Sequence, residues 1–238
     1  MLAKMIEKIE KMSGAQTFSI NNETYSDKPL NLIRKEYKLP NTIHVSGLDG
    51  ICQLIKKEIG DFGGKNLFVE VVDYNIVKVF TAYIEDFNRA WLYEAHADAP
   101  GLKSGWRELD NALIELRSLC IPADGVNKLI STLSTVSFNE GMEISDNGMS
   151  QSVKVKTGVS LNQMAKVEPR IELQPFRTFL EVEQPASEFV VRVDKQKGLG
   201  LFEADGGIWK LEAKRNIARY FEKELMDLIE EGKVSVMM

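Results

Sequence analysis

Three side chains with metal-ligand chemistry stand at every second position of one segment: Glu94, His96 and Asp98. Side chains alternate across a β-strand, so a strand here would place all three on one face. Two carboxylates and an imidazole can bind Zn²⁺ or Mn²⁺ or orient a water molecule, as in a metal-dependent hydrolase. The alternation favours another interpretation, the solvated face of a half-buried strand with Trp91 and Tyr93 facing the core. We therefore predict no metal site and keep the three residues as the candidates for one.

Basic side chains are interleaved with aromatic ones between residues 195 and 219. Such a mixture can hold single-stranded nucleic acid or a small anionic ligand such as a nucleotide. The alternative is a solvated face balanced by Glu212, Glu222 and Glu224. The candidate ligand-binding residues are Lys195, Lys197, Phe202, Trp209, Lys210, Lys214, Arg215 and Arg219.

The two cysteines, His44 and the glycines near the C-terminus are predicted to have structural and not chemical roles. Cys52 falls on the apolar side of a predicted helix and Cys120 ends another, so both are predicted to be small core residues. His44 is predicted to be a hydrogen-bonded strand residue. Gly198 and Gly200 fall in a predicted hairpin and lack the order of a phosphate-binding loop. The sequence thus predicts no catalytic residue and no cofactor.

Composition and charge limit the classes of protein to which this chain can belong. The 238 residues are 44% hydrophobic with a formal net charge of −5, which argues against broad nucleic-acid binding because phosphates require a surplus of Lys and Arg. Two cysteines without ligand spacing, and no recognisable secretion signal, indicate a reducing cytosol. No apolar run reaches the roughly 18 residues of a membrane-spanning helix.

Hydrophobic periodicity predicts an α+β fold, mainly antiparallel sheet with flanking N-terminal, central and C-terminal helices. Ser46 is the predicted N-cap of one helix, and Asn147-Gly148 is the predicted turn of a hairpin. The domain prediction is one unit, 1–238, or two intimate halves, 1–134 and 135–238. The predicted strands include 66–72, 76–84, 90–97, 142–145, 150–157, 167–173, 178–182, 189–193 and 199–202, and the predicted helices include 47–59 and 106–119.

Several segments resemble an uncharacterised family of phage and prophage proteins, the YfdQ-like family. They are the Pro40-Asn41-Thr42-Ile43 strand before a helix, the Arg89-Ala90-Trp91-Leu92-Tyr93 strand before Pro100, and the C-terminal strands with their closing helix. The resemblance implies a phage-encoded protein made in the host cytoplasm, from early or recombination-associated gene clusters. It implies no catalytic residues, and 104–160 departs most from the pattern.

These observations lead to one favoured function and two alternatives. The favoured one is a non-enzymatic phage accessory protein that acts by binding as a homo-oligomer, in host takeover or anti-defence. Its partner would be a host protein or a small anionic ligand. The alternatives are a single-stranded nucleic-acid-binding protein of phage replication or recombination, and a metal-dependent hydrolase.

Overall fold

The computed structural model describes most of the chain and has the predicted α+β fold. Its contacts divide the chain into two units, Met1–Leu39 and Pro40–Met238. The predicted domain bounds, one unit or halves meeting at 134, stay a prediction. The described residues are 2–12, 14–20, 23–26, 39–84, 87–137, 142–146, 151–157 and 161–238.

The described residues of the first unit form one helix and one hairpin. Helix α1 is Leu2–Met12, the predicted N-terminal helix, and strands β1 (Thr17–Ile20) and β2 (Glu23–Ser26) pair antiparallel. The hairpin turn, 21–22, lies outside the described residues. The apolar residues of α1 recur at helical spacing and are all exposed: Leu2, Met5, Ile6, Ile9 and Met12.

A five-stranded mixed sheet forms the first layer of the second unit. Its strands run in the order β14-β4-β5-β6-β3. The central three form the predicted antiparallel meander, whereas β14 and β3 add to its edges in parallel. The five strands are β3 (Ile43–Val45), β4 (Leu67–Asp73), β5 (Ile76–Thr81), β6 (Trp91–His96) and β14 (Val234–Met237).

Helices cover one face of this sheet and enclose the first hydrophobic core. The covering helices are α2 (Leu48–Glu58) and α5 (Ile208–Glu224), with the short α6 (Met226–Glu230) following α5. Alternation along β4 and β5 sends every second side chain inward, and α2 and α5 supply the opposing residues. Fully buried members of this core include Leu48, Ile51, Ile55, Leu67, Val69, Val77, Val79, Ile217 and Phe221.

The predicted N-cap of α2 is wrong by one residue. The cap residue is Gly47, and no side chain caps the helix locally. The Glu181 carboxylate instead accepts a hydrogen bond from the Leu48 amide at 2.8 Å, across 133 residues of sequence. A distant acceptor thus satisfies a backbone donor that Ser46 was expected to satisfy.

A four-stranded antiparallel sheet forms the second layer, in the order β11-β12-β13-β7. Helices α3 (Leu109–Leu119) and α4 (Asp124–Ser137) contact it and close a second core around Leu116, Phe189 and Leu199. The predicted helix 106–119 begins later than expected because 105–107 pairs with β13. The four strands are β7 (Gly105–Arg107), β11 (Arg170–Leu173), β12 (Ser187–Asp194) and β13 (Gly198–Glu203).

A three-stranded antiparallel sheet contains the predicted hairpin. Strands β8 (Met142–Asp146) and β9 (Gln151–Thr157) pair antiparallel, and β10 (Leu161–Val167) pairs with β9. Asp146 lies opposite Gln151, so four residues connect the strands, whereas the predicted Asn147-Gly148 turn implies two. The turn 147–150 lies outside the described residues.

The predicted strand 178–182 is wrong, because this segment is a compact turn. The side-chain amide of Gln184 forms the hydrogen bonds with the backbone of this segment that a partner strand would form in a sheet. Its Oε1 accepts from the Arg177 and Thr178 amides at 2.9 and 3.2 Å, and its Nε2 donates to the carbonyls of Phe179 and Val182 at 2.8 and 3.2 Å. Among the helices of the described residues, none is both long and apolar enough to cross a membrane.

Candidate ligand-binding site

The structure divides the predicted basic and aromatic residues among three places. The first is the turn between β12 and β13, which carries Lys195 and Lys197. The Lys197 ammonium lies 5.5 Å from the ring centre of Trp106, and the Phe202 ring meets Trp106 edge to face at 5.7 Å. These residues lie on the outer side of the four-stranded sheet.

The second place is the exposed face of α5. Arg215 and Arg219 both contact the carboxylate of Glu212, at 3.5 and 2.6 Å, and Arg219 also donates to the Asn216 side chain at 2.6 Å. Lys214 is half-buried on the same helix. The two arginines thus share one carboxylate, which offsets part of their positive charge.

The third place is a cleft at the first turn of α5. The cleft has a volume of about 280 Å³. The β4–β5 turn, the loop after β6, the 174–186 segment, the end of β13 and α5 all contribute to its walls. Its lining residues are Tyr74, Asn75, Ala97, Ala99, Pro100, Gly101, Leu102, Lys103, Arg177, Glu203 and Trp209.

Arg177 is the buried charge of this cleft, with only 6% of its surface exposed. Its Nη1 contacts Glu203 Oε1 at 2.5 Å, and its Nη2 donates to the Ser187 hydroxyl and to the Pro185 carbonyl. Burial lowers the pKa of the Arg177 guanidinium, and the carboxylates of Glu203 and Asp205 oppose that shift. The guanidinium is thus held in one orientation by partners on two of its three nitrogens.

Aromatic rings form one wall of the cleft. The Arg177 guanidinium carbon lies 3.9 Å from the ring centre of Trp209, and Tyr74 meets Trp209 at 4.8 Å in an edge-on contact. The Lys210 ammonium lies 5.4 Å from the Tyr74 ring and 5.8 Å from the Trp209 ring. Cation–π attraction contributes about 2 kcal/mol for a buried contact such as that of Arg177 and about 0.5–1 kcal/mol for an exposed one such as that of Lys210.

Asp205 holds the first turn of α5 against β12. Its carboxylate accepts from the Ser187 hydroxyl at 2.6 Å and from the Gly207 amide at 3.0 Å. Burial tends to raise the pKa of Asp205, but these hydrogen bonds, another from the Trp209 amide and the nearby Arg177 together lower it. Trp209 therefore enters the cleft from an anchored helix start.

Two donors of the cleft lack acceptors. In the part of the chain that the structure describes, neither Arg177 Nε nor Trp209 Nε1 has a hydrogen-bond partner, although both atoms are buried. An unpaired buried donor costs about 1–3 kcal/mol. Native structures usually satisfy such groups with protein atoms, water or a ligand. Arg177 and Trp209 both line the cleft, but the two N–H atoms themselves are closed to solvent. A ligand oxygen would therefore reach them only with a small movement of neighbouring side chains.

Sequence reasoning identified Trp209 and Lys210 but missed Arg177, Tyr74 and Glu203. Arg177 stands between Phe176 and Thr178, directly before the predicted strand 178–182. A single arginine between two phenylalanines, Phe176 and Phe179, was the available signal, because an arginine in an apolar stretch is seldom buried without partners.

The metal candidates Glu94, His96 and Asp98 do not form one cluster. Glu94 Oε1 lies 2.6 Å from His96 Nε2 and 3.5 Å from the Lys78 ammonium, whereas Asp98 lies beyond β6 and lines another cleft beside Glu181. The hydrogen bond with His96 is the main cause that lowers the pKa of Glu94, with help from Lys78. Among the described residues, no three His, Cys, Asp or Glu side chains are placed to hold a metal ion.

The expectation that Trp91 faces the core is wrong. Trp91 is 44% exposed, although Tyr93 and Ala95 are buried as predicted. The register between β5 and β6 shifts between Val79 and Phe80, so that Phe80 pairs with Trp91 and Leu92 becomes an extra residue. A β-bulge of this kind reverses the side-chain direction beyond it.

The two cysteines are buried and free, as the sequence predicts for core residues. Burial raises the pKa of the Cys52 thiol to about 12 and that of Cys120 to about 11. Thiolate, the nucleophilic form, is therefore scarce at neutral pH. His44 lies on β3, as predicted, and its side chain is exposed. Gly198 has a φ of 79° and is the first residue of β13, directly after the turn 195–197, so it lies in the predicted hairpin.

Comparison with known proteins gives no similarity: no family model matches the chain, and no curated protein or solved structure resembles it. The resemblance to the YfdQ-like phage family and the alternative of a metal-dependent hydrolase both stay predictions.

Proposed function

We propose that this protein acts by binding a small molecule with an acidic group in the cleft between Arg177 and Trp209, without turning it over. One observation carries the proposal: two buried N–H donors of this cleft have no acceptor among the described residues. A carboxylate or phosphate offers several acceptor oxygens, and a hydrogen bond between an ionised group and a fixed donor is about twice as strong as a neutral one.

The size and the wall of the cleft support a small ligand. Its volume of about 280 Å³ lies near the lower limit for small-molecule sites. The rings of Tyr74 and Trp209 provide an apolar wall, and the guanidinium of Arg177 is held in place before any ligand arrives. Donors that are ordered in advance lower the entropic cost of binding.

Replacing Trp209 by phenylalanine tests the proposal with a minimal change. Phenylalanine keeps a ring over Arg177 but removes Nε1–H, so we expect affinity for a carboxylate probe to fall about tenfold, or about 1.4 kcal/mol. The probes are acetate, benzoate and inorganic phosphate. The wild type has three tryptophans, so its binding can be followed from three indole N–H signals in ¹H–¹⁵N NMR spectra. The variant lacks the Trp209 indole, so the backbone amide signals of cleft residues such as Asn75 are used to compare the two affinities.

The indole N–H signals of the wild-type protein decide whether an acidic probe binds in the cleft. We expect the Trp209 indole signal to shift on titration while that of Trp106 stays constant. The matched control is Trp106→Phe, which changes an exposed tryptophan outside the cleft. A Trp209 signal that none of the three probes moves would contradict the proposal.

A second candidate function is single-stranded nucleic-acid binding, supported by the outer side of the five-stranded sheet. We call this surface the aromatic face: Phe68, Phe80, Tyr83 and Trp91 with the cations Lys78 and Arg89. Arg89 lies 4.2 Å from the Tyr83 ring centre and 4.8 Å from that of Phe80, and Trp91 meets Phe80 at 4.8 Å. Tyr83 and Trp91 are 60% and 44% exposed, so bases could stack on them.

The nucleic-acid candidate makes its own prediction. Trp91→Ala is expected to weaken binding of a thymidine oligonucleotide by about tenfold, because stacking on one aromatic side chain is worth about 1–3 kcal/mol per base. Arg89→Gln should reduce the slope of log affinity against log salt by about 0.7, the value for one phosphate contact on a single strand. Fluorescence anisotropy measures both.

Arg215→Gln is the matched control, because it removes the same charge from α5, which covers the opposite face of the sheet. We expect it to leave affinity unchanged. No binding by the wild type at about 50 mM salt, where electrostatic contacts are strong, would eliminate this candidate.

Self-association is proposed from the exposed apolar side of α1, where Leu2, Met5, Ile6, Ile9 and Met12 recur at helical spacing. Exposed apolar stripes commonly mark contacts between chains. Native mass spectrometry would measure the mass of the assembly and any ligand that denaturation releases. A monomer at micromolar concentration would contradict self-association.

A phage origin, the host cytoplasm and a host protein partner stay predictions.

A further inference from the structure

Positive charge exceeds negative charge at the cleft. Its lining includes the cations Arg177 and Lys103 and one carboxylate, Glu203, while Lys210 lies over the Tyr74 and Trp209 rings. Glu203 is paired with Arg177 at 2.5 Å, so these two charges largely cancel each other. Lys103 lines the cleft, and Lys210 lies against two of its lining rings, Tyr74 and Trp209. The carboxylate of Asp205 also acts on Arg177 and is hydrogen-bonded to Ser187 and Gly207.

The two lysines have no carboxylate partner at ion-pair distance among the described residues. Both are exposed, in contrast to Arg177 and Trp209, which are 6% exposed. The cleft therefore has two levels, a buried level with fixed N–H donors and an outer level with flexible ammonium groups. A long, mobile side chain pays little desolvation cost when it meets an anion at the surface.

We infer that the ligand of this cleft is a small diacid, with one acidic group on the Arg177 and Trp209 donors and the other on Lys103 and Lys210 at the mouth. This inference rests on the proposed function and names its ligand class. A monoacid would use only the buried level and leave the two ammonium groups to water. A diacid or a phosphorylated acid engages both levels at once.

Linking two acidic groups raises affinity because the second contact forms within an already bound molecule. The gain depends on whether the spacer between the two groups matches the distance between the levels. A series of straight-chain dicarboxylates that differ by one methylene therefore measures that distance directly. The spacer also has to pass the rings of Tyr74 and Trp209, which favours an apolar chain.

The experiment titrates acetate, malonate, succinate, glutarate and inorganic phosphate into the protein and follows the Trp209 indole signal. We expect one dicarboxylate to bind at least about tenfold more tightly than acetate, as a linked second contact allows. Lys210→Gln should lower affinity for that dicarboxylate about fivefold and affinity for acetate by a smaller factor, because only the dicarboxylate places an acidic group on this lysine. Lys103→Gln should act in the same direction.

The matched control is Lys197→Gln, which removes the same charge from a lysine at the β12–β13 turn beside Trp106. It should change neither affinity. Dicarboxylates that bind no more tightly than acetate, or a Lys210→Gln variant that weakens acetate and dicarboxylate equally, would overturn the inference. A Trp209 signal that responds to no probe contradicts the proposed function itself, so the two failures are distinguishable.

Discussion

Replacing Arg177 by methionine is expected to lower the free energy of unfolding by about 2–4 kcal/mol. The substitution keeps the length of the apolar stem but removes the partner of Glu203, the donor to Ser187 and the cation stacked on Trp209. Breaking a buried ion pair is costly because the remaining charge stays poorly solvated. Glu203 keeps 31% of its side-chain surface exposed, so water recovers part of the loss. Urea unfolding measures the effect.

Two further variants separate charge from geometry at this position. Arg177→Lys keeps the charge but lacks the planar fork, so we expect it to recover less than half of the loss. The double variant Arg177→Met with Glu203→Gln removes both charges, and we expect it to be more stable than Arg177→Met alone. A loss below about 0.5 kcal/mol for Arg177→Met would contradict a structural role, since that is the range of ordinary surface substitutions.

A second large loss of stability is expected when a buried phenylalanine is removed from either core of the Pro40–Met238 unit. Phe221→Ala empties a fully buried site of the first core and Phe189→Ala one of the second, and each is expected to cost about 3–5 kcal/mol. Lost apolar burial and the residual cavity both contribute to this cost. Leu211→Ala, on the same helix as Phe221 and 47% exposed, is the control, with an expected change of about 0.5 kcal/mol or less.

The shape of the unfolding curves also tests the domain prediction. We expect both phenylalanine variants to show one transition at a lower denaturant concentration, because the 174–186 segment joins the cores. Pro175, in this segment, forms an isolated backbone β-bridge with Cys120 of the second core. Phe179, in the same segment, is buried in the first core. Two separated transitions in either variant would show that the cores unfold independently.

Local pattern was sufficient for the elements whose partners are near in sequence. The meander β4-β5-β6 follows from alternation over short strands with short connections, and the pairing of β8 with β9, although not its register, follows from the residues between them. The parallel pairing of β14 with β4 could not be predicted, because it joins Val234 to Leu67. The same holds for the Glu181 carboxylate on Leu48. Such pairings depend on the tertiary arrangement of both partners.

The binding cleft shows the same division. Composition and spacing alone indicated α+β architecture, a basic and aromatic region that includes Trp209 and Lys210, and thiols in the core. Only the tertiary structure brings Tyr74 next to Thr178, 104 residues away, and stacks Arg177 on Trp209. The physical reason is burial: a sequence shows which side chains can donate a hydrogen bond, whereas packing decides which donors are removed from water and which of those lack a partner.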